Sequence, residues 1–378
     1  MRSPLHTAKD KLEDNLKYWV ALNIVLSENL KAIKNICSRF PDIRNLFGAS
    51  VTELKALGLD EETAAVLISS KTLHQAEIDI EKLTRKKYAI LTLEDRKYPS
   101  YLRETFDPPC VLYCAGKVDV LEELSVSIVG ARKPTPYGRA VAEKLAYDLA
   151  SRGMVIVSGL ARGIDSVAHW GALQGGRTVA VMGSGLDVIY PRENRKLFEK
   201  IMETGVVITE FPLKSPPLGY HFPMRNRIIS GLSLAVVVIE ATKRSGSLIT
   251  ARLALEQNRE VMAVPGNTTS ELSQGTNWLV KTGAKLVEVW EDVAEELPPP
   301  FKDQLLAQTE EKTRKALPSV NPNEEKVLAL LKTDELTPVD ELVEKTEFSV
   351  SEILSLSLQL ELKGYISQSP GKYFQRKI

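Results

Sequence analysis

Cysteine is scarce: Cys37, Cys110 and Cys114 are the only three in 378 residues. An odd set so spaced closes no disulfide framework and matches no four-ligand zinc pattern, so these read as reduced core thiols. Net charge is missing too, since 49 Lys and Arg stand against 49 Asp and Glu. That excludes a uniformly basic coat for nucleic acid while leaving room for a local basic cleft. No run of about 18 uncharged apolar residues occurs, and the opening MRSPLHTAKDKLEDN has no apolar stretch behind its charges. Neither a membrane span nor a signal peptide is expected, and the chain is placed in the cytoplasm. Nucleotide signatures are lacking as well. There is no GxxxxGK(S/T), and Gly183-Ser184-Gly185 is without the third glycine of the dinucleotide fingerprint and follows the third strand-like run instead of the first. ATP hydrolysis and NAD chemistry lose support, and no catalytic residue, metal ligand or cofactor is expected.

What is present is an ordinary globular composition, 43% hydrophobic and 26% charged, long enough for two or three domains. Residues 1–90 read as an all-α domain of SAM or helix-hairpin-helix type. Apolar residues recur at helical spacing in YWVALNIVL and LKAIKNICSRF, and ASVTELKALGLDEETAAVLIS is a helix pair with Ser50 or Thr52 as N-cap and Gly58 in the turn. Such a pair fits a grip on DNA backbone, and it fits most short helix pairs equally well. Over 91–291 the character changes. SVSIVG, MVIVS, TVAVM, VVIT, LAVVVIE, EVMAVP and KLVEV alternate with amphipathic segments, which predicts an α/β, doubly wound, Rossmann-like parallel sheet covered on both faces. Residues 292–322, with ELPPP and LPSVNPNEE, read as a linker. Residues 323–378 read as a winged-helix-like domain: helix EEKVLALL, a helix opened by Thr337-Pro338 with Asp340 completing a capping box, a third opened by Ser349 with Glu352, then a hairpin. LSLSLQLELKG alternates with period two, but it lacks β-branched residues and follows a capping box, so helix is preferred.

In an open parallel sheet the ligand crevice lies beyond the carboxyl ends of the strands. There the sequence places Arg132, Arg162 in GLARG, Lys243 and Arg244 followed by Ser245, Gly246 and Ser247, and Arg225-Asn226-Arg227 opening another helix. Gly and Ser at strand-to-helix turns leave amide groups free to hold an anion. Six cations against Asp165, Glu210 and Glu240 point to a ligand with several phosphates. Two readings stand for any one of them, an anion site or an arginine paired with Asp165 or Glu240. His169 lies one turn after Asp165, and with no Ser or Cys nucleophile assignable a helix-positioning hydrogen bond is the preferred role for that pair.

At these residues the sequence resembles the DNA-processing protein A family (DprA, also called Smf). The stretches that carry the resemblance are YPSYLRETFDPPCVLYCAG, VSIVGARKPTPYGR, VSGLARGIDSVAHWGAL, VMGSGLDVIYP, FPMRNRIISGLS, VVVIEATKRSGSLITARLALEQ, VPGN and GTNWLVKTGA, in the family's order between Tyr98 and Ala284. The resemblance implies a cytoplasmic homodimer that binds single-stranded DNA and loads the RecA recombinase onto incoming strands in natural transformation, without catalytic turnover. It carries the DNA-binding role to Arg132, Phe222, Arg225, Asn226 and Arg227, and to Lys243 and Ser245 to Ser247. Phe222 enters only this way. Arginines and loop amides would neutralise phosphates while Phe222 stacks on an unpaired base, so binding would be sequence-independent and salt-sensitive. The third helix of the C-terminal domain, with Glu352 and Glu361, is poorly charged for a major groove, which favours protein contact there. The rival is a nucleotide-binding or nucleotide-hydrolysing enzyme of the LONELY GUY-like Rossmann class. Its PGGxGTxxE signature is broken here, with Trp278 and Leu279 where the carboxylate should follow.

Overall fold

The structure, a computed structural model, describes residues 4–299, 302–303, 305, 320–332 and 335–376, with side chains from Asn15 onward. The chain divides at Leu305 into two compact units.

The first unit opens with helices α1 (Pro4–Leu26), α2 (Leu30–Arg39), α3 (Val51–Ala56), α4 (Glu61–Leu67) and α5 (Ser70–Arg85). Ser50 caps α3 in a capping box with Glu53, and Gly58 takes the positive φ of the turn. The start of α4 is capped by Asp60 and carries Glu61 and Glu62. A helix N-terminus filled with carboxylates repels phosphate, so the start of α4 is a poor seat for a DNA backbone.

A nine-stranded sheet follows. Its strands are β1 (Ala89–Thr92), β2 (Val111–Gly116), β3 (Ser125–Gly130), β4 (Val155–Ser158), β5 (Thr178–Val181), β6 (Val206–Thr209), β7 (Ala235–Ile239), β8 (Glu260–Ala263) and β9 (Lys285–Leu286), in spatial order β1-β2-β6-β5-β4-β3-β7-β8-β9. From β6 to β9 every pairing is parallel, as the runs of buried Val, Ile and Ala require. The sequence reading missed β1 and β2, which form an antiparallel hairpin whose second strand caps the β6 edge. Helices α7 (Pro136–Ser151) and α8 (Ile164–Gly175) pack on one face, with Ala142, Leu145, Ala168 and Ala172 over Ile128, Ile156 and Val237. Helices α10 (His221–Leu232) and α11 (Gly246–Glu256) cover the other, with Ile228 and Ala251 over Val129, Val157 and Val238. Short α6 (Ser100–Arg103), α9 (Arg195–Thr204) and α12 (Gln274–Lys281) complete the layers. The N-terminal helices share a core with β2, α9 and β6, with Trp19, Leu22 and Leu26 joining Tyr113, Phe198 and Val207.

The expected linker from 292 starts later. Asp292 lies inside α13 (Trp290–Glu295), and Val293, Ala294 and Leu297 are buried in the α7 face. Most of the remainder of that segment falls outside the described residues. The second unit contains α14 (Pro322–Leu330), β10 (Thr337–Pro338), α15 (Val339–Lys345), α16 (Val350–Leu362), β11 (Ile366–Ser369) and β12 (Tyr373–Arg376). The alternating leucine run is helical in α16 behind the Ser349–Glu352 capping box. The expected helix opens directly after Thr337-Pro338, with Pro338 at its N-cap, but these two residues also form a strand paired to Phe374 and Tyr373, and no side chain makes a capping hydrogen bond to α15, so the expected capping box does not form. Among the described residues no helix is long and apolar enough to cross a membrane.

Candidate functional site

The chain steps outward from β3 to β6, and α10 then carries it back so that β7 lies on the other side of β3. This reversal opens a crevice at the carboxyl ends of the two strands. A cleft of ≈ 520 Å³ occupies it, lined by Gly130 to Lys133 after β3, Asn226 and Phe222 of α10, and Ser245 to Ser247 at the start of α11. Ser245 caps α11 through the Ser247 amide at 3.4 Å, so the positive end of the helix faces the cleft.

The acid that could have neutralised this rim is spent elsewhere. Glu240, at the end of β7 with a positive φ, accepts from the Thr135 amide at 2.8 Å and from the Thr135 hydroxyl, tying β7 to the start of α7. Arg132, Lys133, Lys243 and Arg244 are all exposed, and among the described residues none of them has an ion-pair partner. The Arg132 guanidinium lies 5.6 Å from the Phe222 ring, and the Tyr190 ring sits 5.7 Å from the same ring, tilted by 46°. A smaller pocket continues from Phe222 past Tyr190 to Arg162 and Gly183. Tyr190 had no signal in the sequence beyond its place in VMGSGLDVIYP.

Arg225 forms the floor. It is 3% exposed, and its Nη1 donates to Gly159 O at 2.6 Å and to Val181 O, joining the ends of β4 and β5. Burial pushes its pKa down to about 10, with Asp165 acting against that shift. Asp165 accepts from the Gly159 amide at 3.1 Å, and burial raises its carboxyl although Arg225 pulls the other way. The Arg225 Nε donates to Asn226 Oδ1 at 3.2 Å, which leaves the Asn226 amide nitrogen without a protein partner among the described residues.

The structure does not gather every expected residue. Arg227, two positions on, turns away: its Nη2 donates to the buried Glu210 at 2.5 Å and its Nε is 3.3 Å from the half-buried Asp107. Its guanidinium does not line the cleft. Arg162 reaches the rim but is paired with Glu193, Nη2 to Oε2 at 3.0 Å. The Asp165–His169 bond does not form either. His169 is fully buried with Nδ1 against Thr178 Oγ1 at 2.6 Å and Nε2 accepting the Leu160 amide at 3.3 Å, and burial drops its pKa to about 3. The neutral ring pins the loop after β4.

Across α10's first turn lies a group from the N-terminal helices. Glu28, in the turn after α1, bonds both His221 and Tyr220. Partial burial raises its carboxyl, but those two hydrogen bonds outweigh it and hold the group below the ordinary range.

The model of the DNA recombination-mediator protein A family matches residues 89–298, and that of the DprA winged helix domain matches 311–372. The chain belongs to the DNA-processing protein A (DprA/Smf) family. Among DprA/Smf proteins, Protein Smf of Escherichia coli (strain K12) is 40% identical over 300 residues, covering 77% of this chain and 78% of that one. DNA processing protein DprA of Streptococcus pneumoniae is 44% identical over 223 residues, 58% of this chain and 79% of its own. The X-ray structure of Streptococcus pneumoniae DprA matches with a TM-score of 0.64 at 36% identity, covering 74% of this chain and 96% of that one. DprA of Helicobacter pylori, solved in a study of its single-stranded DNA binding mode, matches at 0.51 and 34% over 58% and 96%. The Rossmann-like sheet and the winged helix domain are thus both those of DprA.

Proposed function

We propose that the cleft at the β3–β7 reversal binds single-stranded DNA without regard to sequence. One observation carries the reading: two exposed cations without ion-pair partners, Arg132 and Lys133, line the cleft with the aromatic Phe222 and the start of α11, and two more, Lys243 and Arg244, stand in the loop that leads into that helix without lining the cleft themselves. Cations and helix amides meet phosphates, Phe222 and Tyr190 offer faces on which bases stack, and neither feature reads base edges. Stacking needs unpaired bases, so duplex is the poorer ligand. Asn226, Arg225 and Ser245 to Ser247 complete the site, Arg162 assists from its pair with Glu193, and Arg227 serves the core. In this reading the chain acts in the cytoplasm as a homodimer that delivers the strand to the RecA recombinase during transformation, without turnover of its own.

The test is fluorescence anisotropy of labelled oligo-dT across salt, with duplex of equal length beside it. With four phosphate contacts the log–log salt slope is about −3, since each contact on a single strand contributes about 0.7. Arg132→Ala or Lys243→Ala weakens binding by about tenfold and flattens that slope by about 0.7. Affinity untouched by both substitutions would sink the site, and hydrolysis of a nucleoside monophosphate would favour an enzyme instead. RecA filament formation on the same oligonucleotide, with and without the protein, tests delivery, and sedimentation tests the dimer.

A further inference from the structure

Glu28 belongs to the N-terminal helices, yet its carboxylate reaches the first residues of α10. One oxygen faces His221 Nε2 at 2.9 Å and the other accepts from Tyr220 Oη at 2.7 Å. The His221 ring is fully buried, stacked on Phe211 with centroids 4.0 Å apart, and its other nitrogen faces Gly183 O at 3.2 Å. Gly183 in turn lies against Phe222, where a Cβ on it would sit 3.1 Å from the ring carbon Cδ1. A continuous line of contacts therefore runs from Glu28 through His221 and Gly183 to the rim aromatic.

Both nitrogens of His221 face acceptors. The ring thus bridges the Glu28 carboxylate and the Gly183 carbonyl. The other ionisable groups around the ring are Tyr220, in edge contact at 4.8 Å, and Glu210 at the end of β6, whose carboxylate is committed to Arg227. Both oxygens of Glu28 are engaged by these first residues of α10 and neither faces the rim aromatic, so its influence is geometric.

We propose that Glu28 is a positioning residue for the cleft, through which the N-terminal helices hold His221, the Gly183 loop and Phe222 in the arrangement that receives a base. The proposal rests on the single-stranded-DNA reading above. It assigns the helical N-terminus a part in binding that involves no contact with the strand.

The full-length protein is titrated with labelled oligo-dT as wild type, Glu28→Ala, Glu28→Gln and Arg132→Ala, with thermal melts of each. Glu28→Ala weakens binding roughly three- to tenfold. Glu28→Gln still offers an oxygen to the ring and to the Tyr220 hydroxyl, so it binds closer to wild type than to Glu28→Ala. Wild-type affinity in Glu28→Ala, or a Glu28→Gln as weak as Glu28→Ala, overturns the proposal. Arg132→Ala separates the two claims: if it binds as wild type the DNA reading itself has failed, and if it is weak while the Glu28 variants are not, only the positioning role has.

Discussion

Arg225 and Arg227 stand on one turn of α10, two residues apart, and so point to different sides. Arg225 braces two strand ends beneath the cleft, while Arg227 is enclosed with Glu210 and Asp107. Sequence could select both as cations near strand ends, but it could not separate them, because the acids that claim Arg227 come from loops more than fifteen positions away in the chain. The difference is measurable. Arg227→Met strands the Glu210 charge in the interior and costs about 3–5 kcal/mol in urea unfolding, while oligo-dT affinity of the folded protein stays near wild type. Arg132→Ala does the reverse. Gly159 is bound to the same floor, since a Cβ there would lie 2.6 Å from both Arg225 Nη2 and Asp165 Oδ2, groups already fixed by hydrogen bonds. Gly159→Ala is therefore expected to cost about 1–3 kcal/mol of stability and to weaken DNA binding with it, both read on one preparation. His169 gives a pH signature. Its folded pKa of about 3 lies below the usual 6.5, so between these values the unfolded chain binds the extra proton, and stability falls as the pH drops through that window. The loss is on the order of 5 kcal/mol when complete. Burial raises the Asp165 and Glu210 carboxyls and works in the opposite sense over the carboxylate range. Urea midpoints from pH 7 to pH 4 should fall more steeply in wild type than in His169→Gln.

Elements were legible where cap and period agreed. The Ser349–Glu352 box decided for helix over strand in LSLSLQLELKG, and α16 forms there with Ile353 and Leu360 buried. Ser349→Ala removes the acceptor for the Glu352 amide and is expected to cost about 1 kcal/mol, read as a lower melting temperature of the second unit and faster amide exchange in the first turn of α16. Where cap residues lacked that support only half of the reading held: a helix does open directly after Thr337-Pro338, but its capping box is absent, and Thr337 is drawn into a ladder with Phe374, a partner sequence periodicity cannot see. The same blindness hid β1 and β2. AILT and VLYCAG are short and apolar, and only pairing with each other and with β6 makes them strands.

At the scale of the whole molecule, the parallel order of β3 to β9 followed from buried strand runs alternating with helices, and the binding crevice followed from that order. Which loops carry unpaired cations did not follow, because it depends on Glu240 being turned toward Thr135. All of the proposed site lies in the unit that ends at Leu305. A chain truncated after that residue is expected to keep oligo-dT affinity within about twofold of full length, and a larger loss in anisotropy would bring the winged unit into the DNA path. The hairpin that caps the sheet edge also sets a schedule for the newborn chain. Strand β2 leaves the ribosome ahead of β6, with Cys114 about 90 residues upstream of its partner Ile208. At roughly 5–20 residues per second, its apolar row waits on the order of 5–20 s for the edge it is built to cover. During that interval VLYCAG is a natural stretch for a nascent-chain chaperone to shelter.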